Sequence, residues 1–557
     1  MNDTVLQPGH FDQTTLHDAA HNRGIVILRS IEAVWTQIAR RRVFSCVLIA
    51  ALTLVVRLAL LRVDPKPEPR QHDEFAYILG GETFAKGRLA NPTPPLWRFF
   101  ETRYINMQPT YVSKYPPAQS AFLALGIRLF GHPWYGVVIS VALMCGCLCW
   151  MLQGWLPPQY ALLGGLFAFF QFGVTHYWMD SYWGGAVAAM GGSLVFGALP
   201  RLARHGQASA ACAAGLGTAI LANSRPFEGL VMVLLTFVAL SWWTRGHFAV
   251  WLRPKVLLPL AVILLSTATA MAYYNFKTTG SPTTLAYTIN IQRYQAVGFF
   301  WMLPPFPPRH REYRDPLMRY DWEVGDVNDY KQVRHNPALA VGNVYRSFRQ
   351  LLGDGAGLIL LFLIACAIPL AGIGPLRLTF GLVLLFFAAM TLSRVTYPHY
   401  LAPVVGALFV LAMSGLELLH SRSSSGVLVA SIVTLAGTLF ICDSVQTFFT
   451  HYRYPTNIWS FRLQVEAKLR AEPGKHLVLV HYKDYEAEII YNGAEIDAQK
   501  LVWAFDFGPE GNRPLLDHYR DRKVWLAQPD GPRPTLEPYL SVNISEISYG
   551  NKASSQP

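Results

Sequence analysis

Charge is what this chain has least of. Only 15% of its 557 residues are Asp, Glu, Lys or Arg, against about 25% in an average soluble domain. With 52% hydrophobic residues as well, it lacks the polar surface that a soluble protein of this size needs. Cysteine is missing from the polar stretches. Cys46, Cys145, Cys147, Cys149, Cys212, Cys366 and Cys442 all lie in apolar runs, so no disulfide framework is indicated. Cys145, Cys147 and Cys149 have no His or acid for company and read as small packing residues, not a metal cluster. No internal repeat and no nucleic-acid motif stands out. The net charge of +12 therefore reads as Lys/Arg-rich cytoplasmic loops with affinity for anionic lipid head groups. A cleavable leader is not indicated: about forty polar residues precede the first apolar run, which is too long and lacks a small-residue cleavage site. That run is expected to stay as an anchor.

Long apolar runs are what the chain has instead. The first is about 43–62, preceded by Arg40, Arg41 and Arg42, which places the N-terminus in the cytoplasm by the positive-inside rule. Further runs long enough to span lie near 134–153, 159–175, 184–201, 208–222, 227–243, 256–274, 354–372, 376–393, 401–419 and 426–446. The expected fold is thus an α-helical polytopic membrane protein with about eleven transmembrane helices. Segment 117–131 is apolar but short, and follows Pro116-Pro117. Reading it as re-entrant puts the basic loops around Arg201–His205, Arg245–Lys255 and His420–Arg422 all inside. Polar stretches 63–115, 176–183, 223–226, 275–353 and 394–400 then share the outer face. The domain reading is a cytoplasmic segment 1–42, a membrane domain 43–449 with outer loops 63–115 and 275–353, and a small extracytoplasmic α/β domain 450–557. In that last domain the strand-like runs 476–482 and 523–529 are separated by turn signals such as Asn492-Gly493. Pro304, Pro305, Pro307 and Pro308 make part of the 275–353 loop stiff and irregular.

The chemistry-bearing residues cluster at the outer ends of spans. Asp73-Glu74 follows the first span, and an acid pair at the mouth of a membrane protein is costly to desolvate, which marks a candidate site. Read as a helix, 72–89 puts Asp73 and Tyr77 on one face, over a cavity, and Phe75, Ile78 and Leu79 on another, in lipid. Lys114 stands at the entry of the ambiguous helix, where it either snorkels or grips a phosphate. Arg57 lies inside the first span and needs a partner or a water-filled cavity; a lipid phosphate is the sharper reading. Asp180 sits among the aromatics of 176–183, which include Trp183, and stacked rings suit sugars. Arg225 is either paired with Glu228 or, with Tyr77, Asp180 and Trp183, a contact for sugar or acceptor, and Arg394, His399 and Tyr400 at a late span close the set as partners of the donor phosphate. Cations neutralise a phosphate leaving group, and a carboxylate takes the proton of an acceptor hydroxyl. Such a set suits glycosyl transfer from a lipid-linked phosphate donor. The competing class is a polytopic transporter or lipid flippase, which tends to show repeats and midplane charges.

The order of one span, an Asp-Glu pair, a Lys-x-Pro-Pro stretch heading an apolar helix and then many spans resembles the GT-C membrane glycosyltransferases. Within them it is similar to the bacterial protein-mannosyltransferase-like and aminoarabinose-transferase-like proteins of glycosyltransferase family 39 and its relatives. The resemblance covers about 43–400 and rests on the order of short motifs. It implies a hexosyl- or pentosyltransferase of the inner (plasma) membrane that uses a polyprenyl-phosphate sugar on the periplasmic face with inversion. The acceptor would be a lipid, glycan or protein. It implies that Asp73 is the base, with Glu74 beside it, and that Lys114 lies near the donor phosphate. It also matches Asp180 to a later acidic position and the Tyr397–Tyr400 stretch to a motif near the lipid phosphate. His72 and the aromatic stretch 176–183 depart from the better-known members. Some relatives use a divalent metal and others do not; the chain shows no clear ligand set, so no metal or other cofactor is assigned.

Overall fold

The computed structural model describes residues 30, 32–245, 253–307, 313, 316–353, 356–423, 426–453, 458–482, 489–530 and 533–539. Most of segment 1–42, Pro308, and residues 540–557 of the C-terminal unit lie outside them. The fold is helical with a small sheet near the C-terminus, as the sequence leads one to expect. Helices α1 (Arg42–Ala59), α2 (His72–Ala85), α3 (Pro117–Phe130), α4 (Trp134–Trp155), α5 (Pro158–Phe172) and α6 (Gly185–His205) come first. They are followed by α7 (Ala208–Ala222), α8 (Pro226–Trp243), α9 (Pro254–Thr279) and α10 (Ala286–Tyr294). Next come α11 (Asp326–His335), α12 (Ala338–Leu352), α13 (Ala356–Cys366), α14 (Gly374–Met390), α15 (Val405–Ser423) and α16 (Gly426–Arg453).

Every one of the eleven apolar runs is helical, but they are not equally long. Among the described residues seven helices are long and apolar enough to cross a membrane. The runs at 159–175, 208–222 and 376–393 form helices of 15, 15 and 17 residues. At a rise of 1.5 Å per residue these reach about 22–26 Å, less than the roughly 30 Å of a hydrocarbon core. Burial explains the first of them: α5 is packed on nearly all sides by other helices, so protein replaces lipid around its ends. The expected span 354–372 is not one straight rod. Helix α13 has 11 residues, gives way to a single tight turn at Ile368–Leu370, and its axis lies at 113° to that of α12.

Helix α3, the ambiguous segment, starts and ends at the same end of the bundle. Its first turn is tied to the α7–α8 junction by Ala118 N–H donating to Asn223 O (2.9 Å). It stops at Gly131 in the left-handed region (φ 74°), where α4 begins with Trp134 Nε1 donating to Met179 O (3.0 Å). With 14 residues it is about 21 Å long and does not cross the bundle. The basic loops gather at the opposite end. There Arg201 Nη2 donates to Trp150 O (2.7 Å), Gln153 Nε2 donates to Arg42 O (2.9 Å), and Tyr160 Oη meets His420 Nδ1 (2.8 Å).

The C-terminal unit comprises α17 (Ile458–Ala471), β1 (Lys475–Val480), β2 (Leu501–Phe505), α18 (Gly508–His518), β3 (Arg522–Gln528) and β4 (Thr535–Pro538). The sheet order is β2-β1-β3-β4, with β1 parallel to β2 and β3, and β4 antiparallel at the edge. Alternation along β1 divides its core. Val478 and Val480 pack with Phe461, Val465 and Leu469 of α17. Leu477 and Leu479 pack with Phe99, Phe100, Ile105 and Tyr111 of the 63–115 loop and with Ala76 and Leu79 of α2. One face of the sheet is therefore closed by the 63–115 loop and α2. This overturns one local expectation: Phe75 and Leu79 of α2 meet the α/β unit instead of lipid, and the Phe75 ring stacks on Tyr491 (4.2 Å, 8°).

Candidate active site

At the end of the bundle away from the basic loops lies a cavity of about 780 Å³. It is walled by the first turn of α2, the stretch 103–117, the α7–α8 and α9–α10 connections, α11 and the 394–400 loop. Of the residues singled out from the sequence, it brings together Asp73, Lys114, Trp183, Arg225, Arg394, His399 and Tyr400. It does not bring in Glu74, Arg57, Tyr77 or Asp180.

Asp73 and Glu74 part company because they are successive residues of a helix, about 100° apart around its axis. Glu74 is the third helical residue of α2 and reaches back to its start. Its Oε2 accepts from the N–H groups of Arg70 (2.7 Å) and Gln71 (2.8 Å), the geometry of a capping box, and Oε1 accepts from Tyr182 N–H (3.0 Å). Burial pushes its carboxyl up to about 7 even against these three donors. Glu74 thus ties the 176–183 loop to α2 and does not stand beside Asp73 in the cavity. Asp73 turns the other way, into the cavity. Burial raises its carboxyl above the usual range, while the nearby charges of Lys114 and Arg225 pull it back.

Lys114 is nearly buried (4% exposed) in a cage of aromatic rings. Its Nζ lies 3.8 Å from the Tyr104 ring centre, 5.0 Å from Tyr287, 5.2 Å from Tyr115 and 5.7 Å from Trp322. Ring faces attract a cation without neutralising it. Burial lowers the Lys114 amine to about 7, opposed by the charges of Asp73 and Asp326. Tyr104 supplies the nearest ring from a left-handed backbone (φ 62°), an uncommon conformation for a bulky residue and of a kind that collects at functional sites. Tyr77 stands behind the cage, its ring stacked on Tyr115 (4.5 Å, 17°). It supports the wall and does not line the cavity.

Four carboxylates (Asp73, Glu228, Asp326, Asp329) and four cations (Arg103, Lys114, Arg225, Arg394) line the cavity, but they are paired unevenly. Arg394 takes both Asp326 (2.7 Å) and Asp329 (4.0 Å). Among the described residues no carboxylate lies within ion-pair distance of Lys114 or Arg225, so Arg225 does not close a pair with Glu228. The Arg225 guanidinium rests over the Tyr400 ring (4.8 Å). Further polar nitrogens on the wall are buried without a hydrogen-bond partner among the described residues, among them Trp183 Nε1, Trp322 Nε1 and His399 Nδ1. The His399 ring stands between Trp183 (5.3 Å) and Tyr400 (5.0 Å). The site therefore offers two carboxylates outside ion pairs, Asp73 and Glu228, opposite several uncommitted donors and cations.

Arg57 and Asp180 find each other instead. Arg57 is fully buried, and its Nη2 pairs with Asp180 Oδ1 (3.3 Å) and Asp64 Oδ2 (3.2 Å) while Nη1 donates to Asp64 O (3.0 Å). Its guanidinium lies over Trp134 (4.6 Å). Neither residue lines the cavity, so the expected roles at the donor phosphate and at the sugar are not supported. Burial raises the Asp180 carboxyl to about 7 despite Arg57.

Reasoning from the sequence did not reach Arg103, Tyr104, Tyr287, Trp322, Asp326 or Asp329. Asp326 and Asp329, one helical turn apart in a polar stretch rich in aromatics, were the available signal. As for a metal, the cavity's acids do not form a ligand set: Asp326 is committed to Arg394, and among the described residues no group of three or more His, Cys, Asp or Glu could hold an ion.

The fold and the cavity define a class: a polytopic membrane protein with a charged, aromatic-walled site where its apolar helices meet long polar loops. No family model matches this chain, and no curated protein matches it. Among solved structures it is similar to the Archaeoglobus fulgidus oligosaccharyltransferase in complex with Zn and sulfate, at 13% identity over 87% of this chain and 67% of that one, with a TM-score of 0.46. It is also similar to ArnT from Cupriavidus metallidurans in the apo state, at 14% identity over 91% and 93% of the two chains, with a TM-score of 0.45. The same ArnT bound to undecaprenyl phosphate gives 17% identity over 76% and 72%, with a TM-score of 0.38.

Proposed function

We propose that the protein is a GT-C-type membrane glycosyltransferase that moves a sugar from a polyprenyl-phosphate-linked donor to an acceptor hydroxyl. The observation that carries this reading is the uneven pairing in the cavity: Asp73 shares it with Lys114 and Arg225, and neither cation has a carboxylate partner among the described residues. A phosphate leaving group needs uncommitted cations, and an acceptor hydroxyl needs a base. In the transfer, the acceptor oxygen attacks the anomeric carbon and its proton passes to Asp73. The bond from that carbon to the phosphate oxygen breaks, and the electron pair leaves with the phosphate, held by Lys114 and Arg225. A single displacement of this kind inverts the anomeric centre. Phe227 of α8 and Met271 and Tyr274 of α9 line the same cavity, so a lipid-borne head group would reach it from the bilayer side. The gathering of basic loops at the far end of the bundle supports a cytoplasmic far end and an extracytoplasmic site.

Mass spectrometry of lipid copurified with the protein, followed by a transfer assay with the lipid-linked sugar so identified, tests the proposal. A bound polyprenyl-phosphate sugar consumed in the presence of an acceptor is the expected result. Flipping of lipid in proteoliposomes with no sugar transferred would overturn it.

A further inference from the structure

The catalytic turn of α2 is gripped from outside the membrane domain. The segment 489–494 of the C-terminal unit runs along this helix and touches it at both ends. At the near end the Tyr491 hydroxyl meets His72 Nδ1 at 2.8 Å, and the Tyr491 ring lies flat on Phe75, 4.2 Å away at 8°. His72 and Phe75 flank Asp73 and Glu74 in the chain. At the far end the Ala494 N–H donates to Glu82 Oε2 (2.8 Å). Between them, Tyr111 Oη donates to Asn492 O (2.8 Å), joining the same segment to the loop that leads to Lys114.

The grip is itself braced. Arg462 of α17 donates to the carbonyls of Ile489 and Tyr491 and lays its guanidinium over the Phe75 ring (5.1 Å). The stack therefore runs Arg462, Phe75, Tyr491, with the hydroxyl of the last reaching His72. Tyr491 is buried (3% exposed) and does not line the cavity, whereas His72 does. Burial keeps the His72 ring neutral, its proton affinity well below the usual range. Its two nitrogens are then chemically distinct, and the hydrogen bond at Nδ1 decides which carries the proton.

We propose that Tyr491 is a positioning residue for the reaction: through His72 and Phe75 the C-terminal unit fixes the first turn of α2, and with it the place of the Asp73 carboxylate opposite Lys114. This rests on the reading of Asp73 as the base. Misplacing a reacting group by about 1 Å costs on the order of 100-fold in rate, so the effect belongs in kcat more than in donor binding.

The test compares Tyr491→Phe, which keeps the stack and loses only the hydroxyl, with Tyr491→Ala, which loses both. Tyr519→Phe serves as a control. That hydroxyl bonds Asp497 inside the same unit and reaches nothing in the cavity. Tyr491→Phe should lower kcat about tenfold and Tyr491→Ala about 100-fold, with the donor KM within about twofold of the parent. Tyr519→Phe should lower thermal stability only. In a double-mutant cycle, Tyr491→Phe should add nothing once His72→Asn is present, since one acts through the other. Full kcat in Tyr491→Phe, equal loss in Tyr519→Phe, or additive effects with His72→Asn would each overturn the proposal. A readout independent of transfer is the ¹⁵N signal of His72, assigned by its loss in His72→Asn. It should report a hydrogen-bonded Nδ1 in the parent and change in Tyr491→Phe. If no transfer is found at all, the enzymatic reading fails, and an unchanged ¹⁵N signal would still separately sink the positioning role.

Discussion

Two charged clusters lie at the same end of this bundle, and they differ in how completely they are neutralised. Arg57, Asp64 and Asp180 form a closed group: a fully buried guanidinium shared by two carboxylates and a carbonyl, and stacked on Trp134. Asp73, Lys114 and Arg225 form an open one, facing a common cavity with rings where counter-ions would be. Sequence position alone recommends both, since an acid or cation at a span end is unusual wherever it occurs. What separates a structural ion pair from a candidate catalytic set is the charge left unmatched.

The largest way to test that contrast is Asp73→Asn. A positioned general base contributes about 10²–10⁴-fold, so transfer should fall by that factor while membrane insertion, followed by detergent-solubilised size-exclusion profile, stays normal. An active Asp73→Asn variant would remove the base assignment. Lys114→Met should cost about 10²–10³-fold in kcat, the scale of removing one transition-state donor.

The same lysine sets a pH signature. Resting Lys114 is protonated below about 7 and Asp73 is ionised above its raised range. The kcat/KM profile should therefore rise as Asp73 deprotonates and fall as pH passes through about 7. A bound phosphate would hold Lys114 protonated, so the alkaline limb of kcat should sit at higher pH than that of kcat/KM. Lys114→Arg should abolish this limb, because a guanidinium does not titrate there. A falling limb unchanged in Lys114→Arg would assign it to another group.

The closed cluster should respond in stability. Arg57→Met leaves the half-buried carboxylates of Asp64 and Asp180 without their cation and should destabilise by about 2–3 kcal/mol, below the scale of a fully buried pair. The combined Arg57→Met and Asp180→Leu should regain part of that loss, read as thermal unfolding in detergent. Loss of activity beyond loss of folded protein in the double variant would return these residues to the site. The smallest effect expected is that of Glu74→Gln. One carboxylate oxygen facing N–H groups becomes a donor, costing about 1–3 kcal/mol, with kcat/KM changed only a few-fold.

How far the sequence was legible follows from the range of the forces involved. Apolar runs report their own burial, so all eleven appear as helices, and the short β-branched apolar run in HLVLVHY at 476–482 reports a strand. Length and the Pro116-Pro117 entry leave the path of α3 ambiguous in the sequence, and only the parity of the basic loops favours its return to the same end. Its return to the same end is sealed by Gly126 and Gly136, whose backbones approach so closely that a Cβ on Gly126 would meet Gly136 N at 2.3 Å. Most of what the sequence left unread is pairing over long sequence separations. Arg57 and Asp180 are 123 residues apart, and nothing local to either names the other. The cage around Lys114 draws Tyr104, Tyr115, Tyr287 and Trp322 from three separate stretches, each ordinary by itself. Glu74 lies off the cavity for a local reason: at the third position of a helix a glutamate is drawn back to the helix start.

The sequence by itself determined that this chain lives in a membrane, where its helices lie, and that its titratable groups concentrate at one end of them. Hydrophobic transfer and helix periodicity are local properties, written residue by residue. Only the tertiary structure decided which of those groups answer one another. Neutralisation depends on distances of 3–4 Å between residues a hundred or more positions apart, and it is this that closed Arg57 onto Asp180 and left Asp73, Lys114 and Arg225 facing an open cavity.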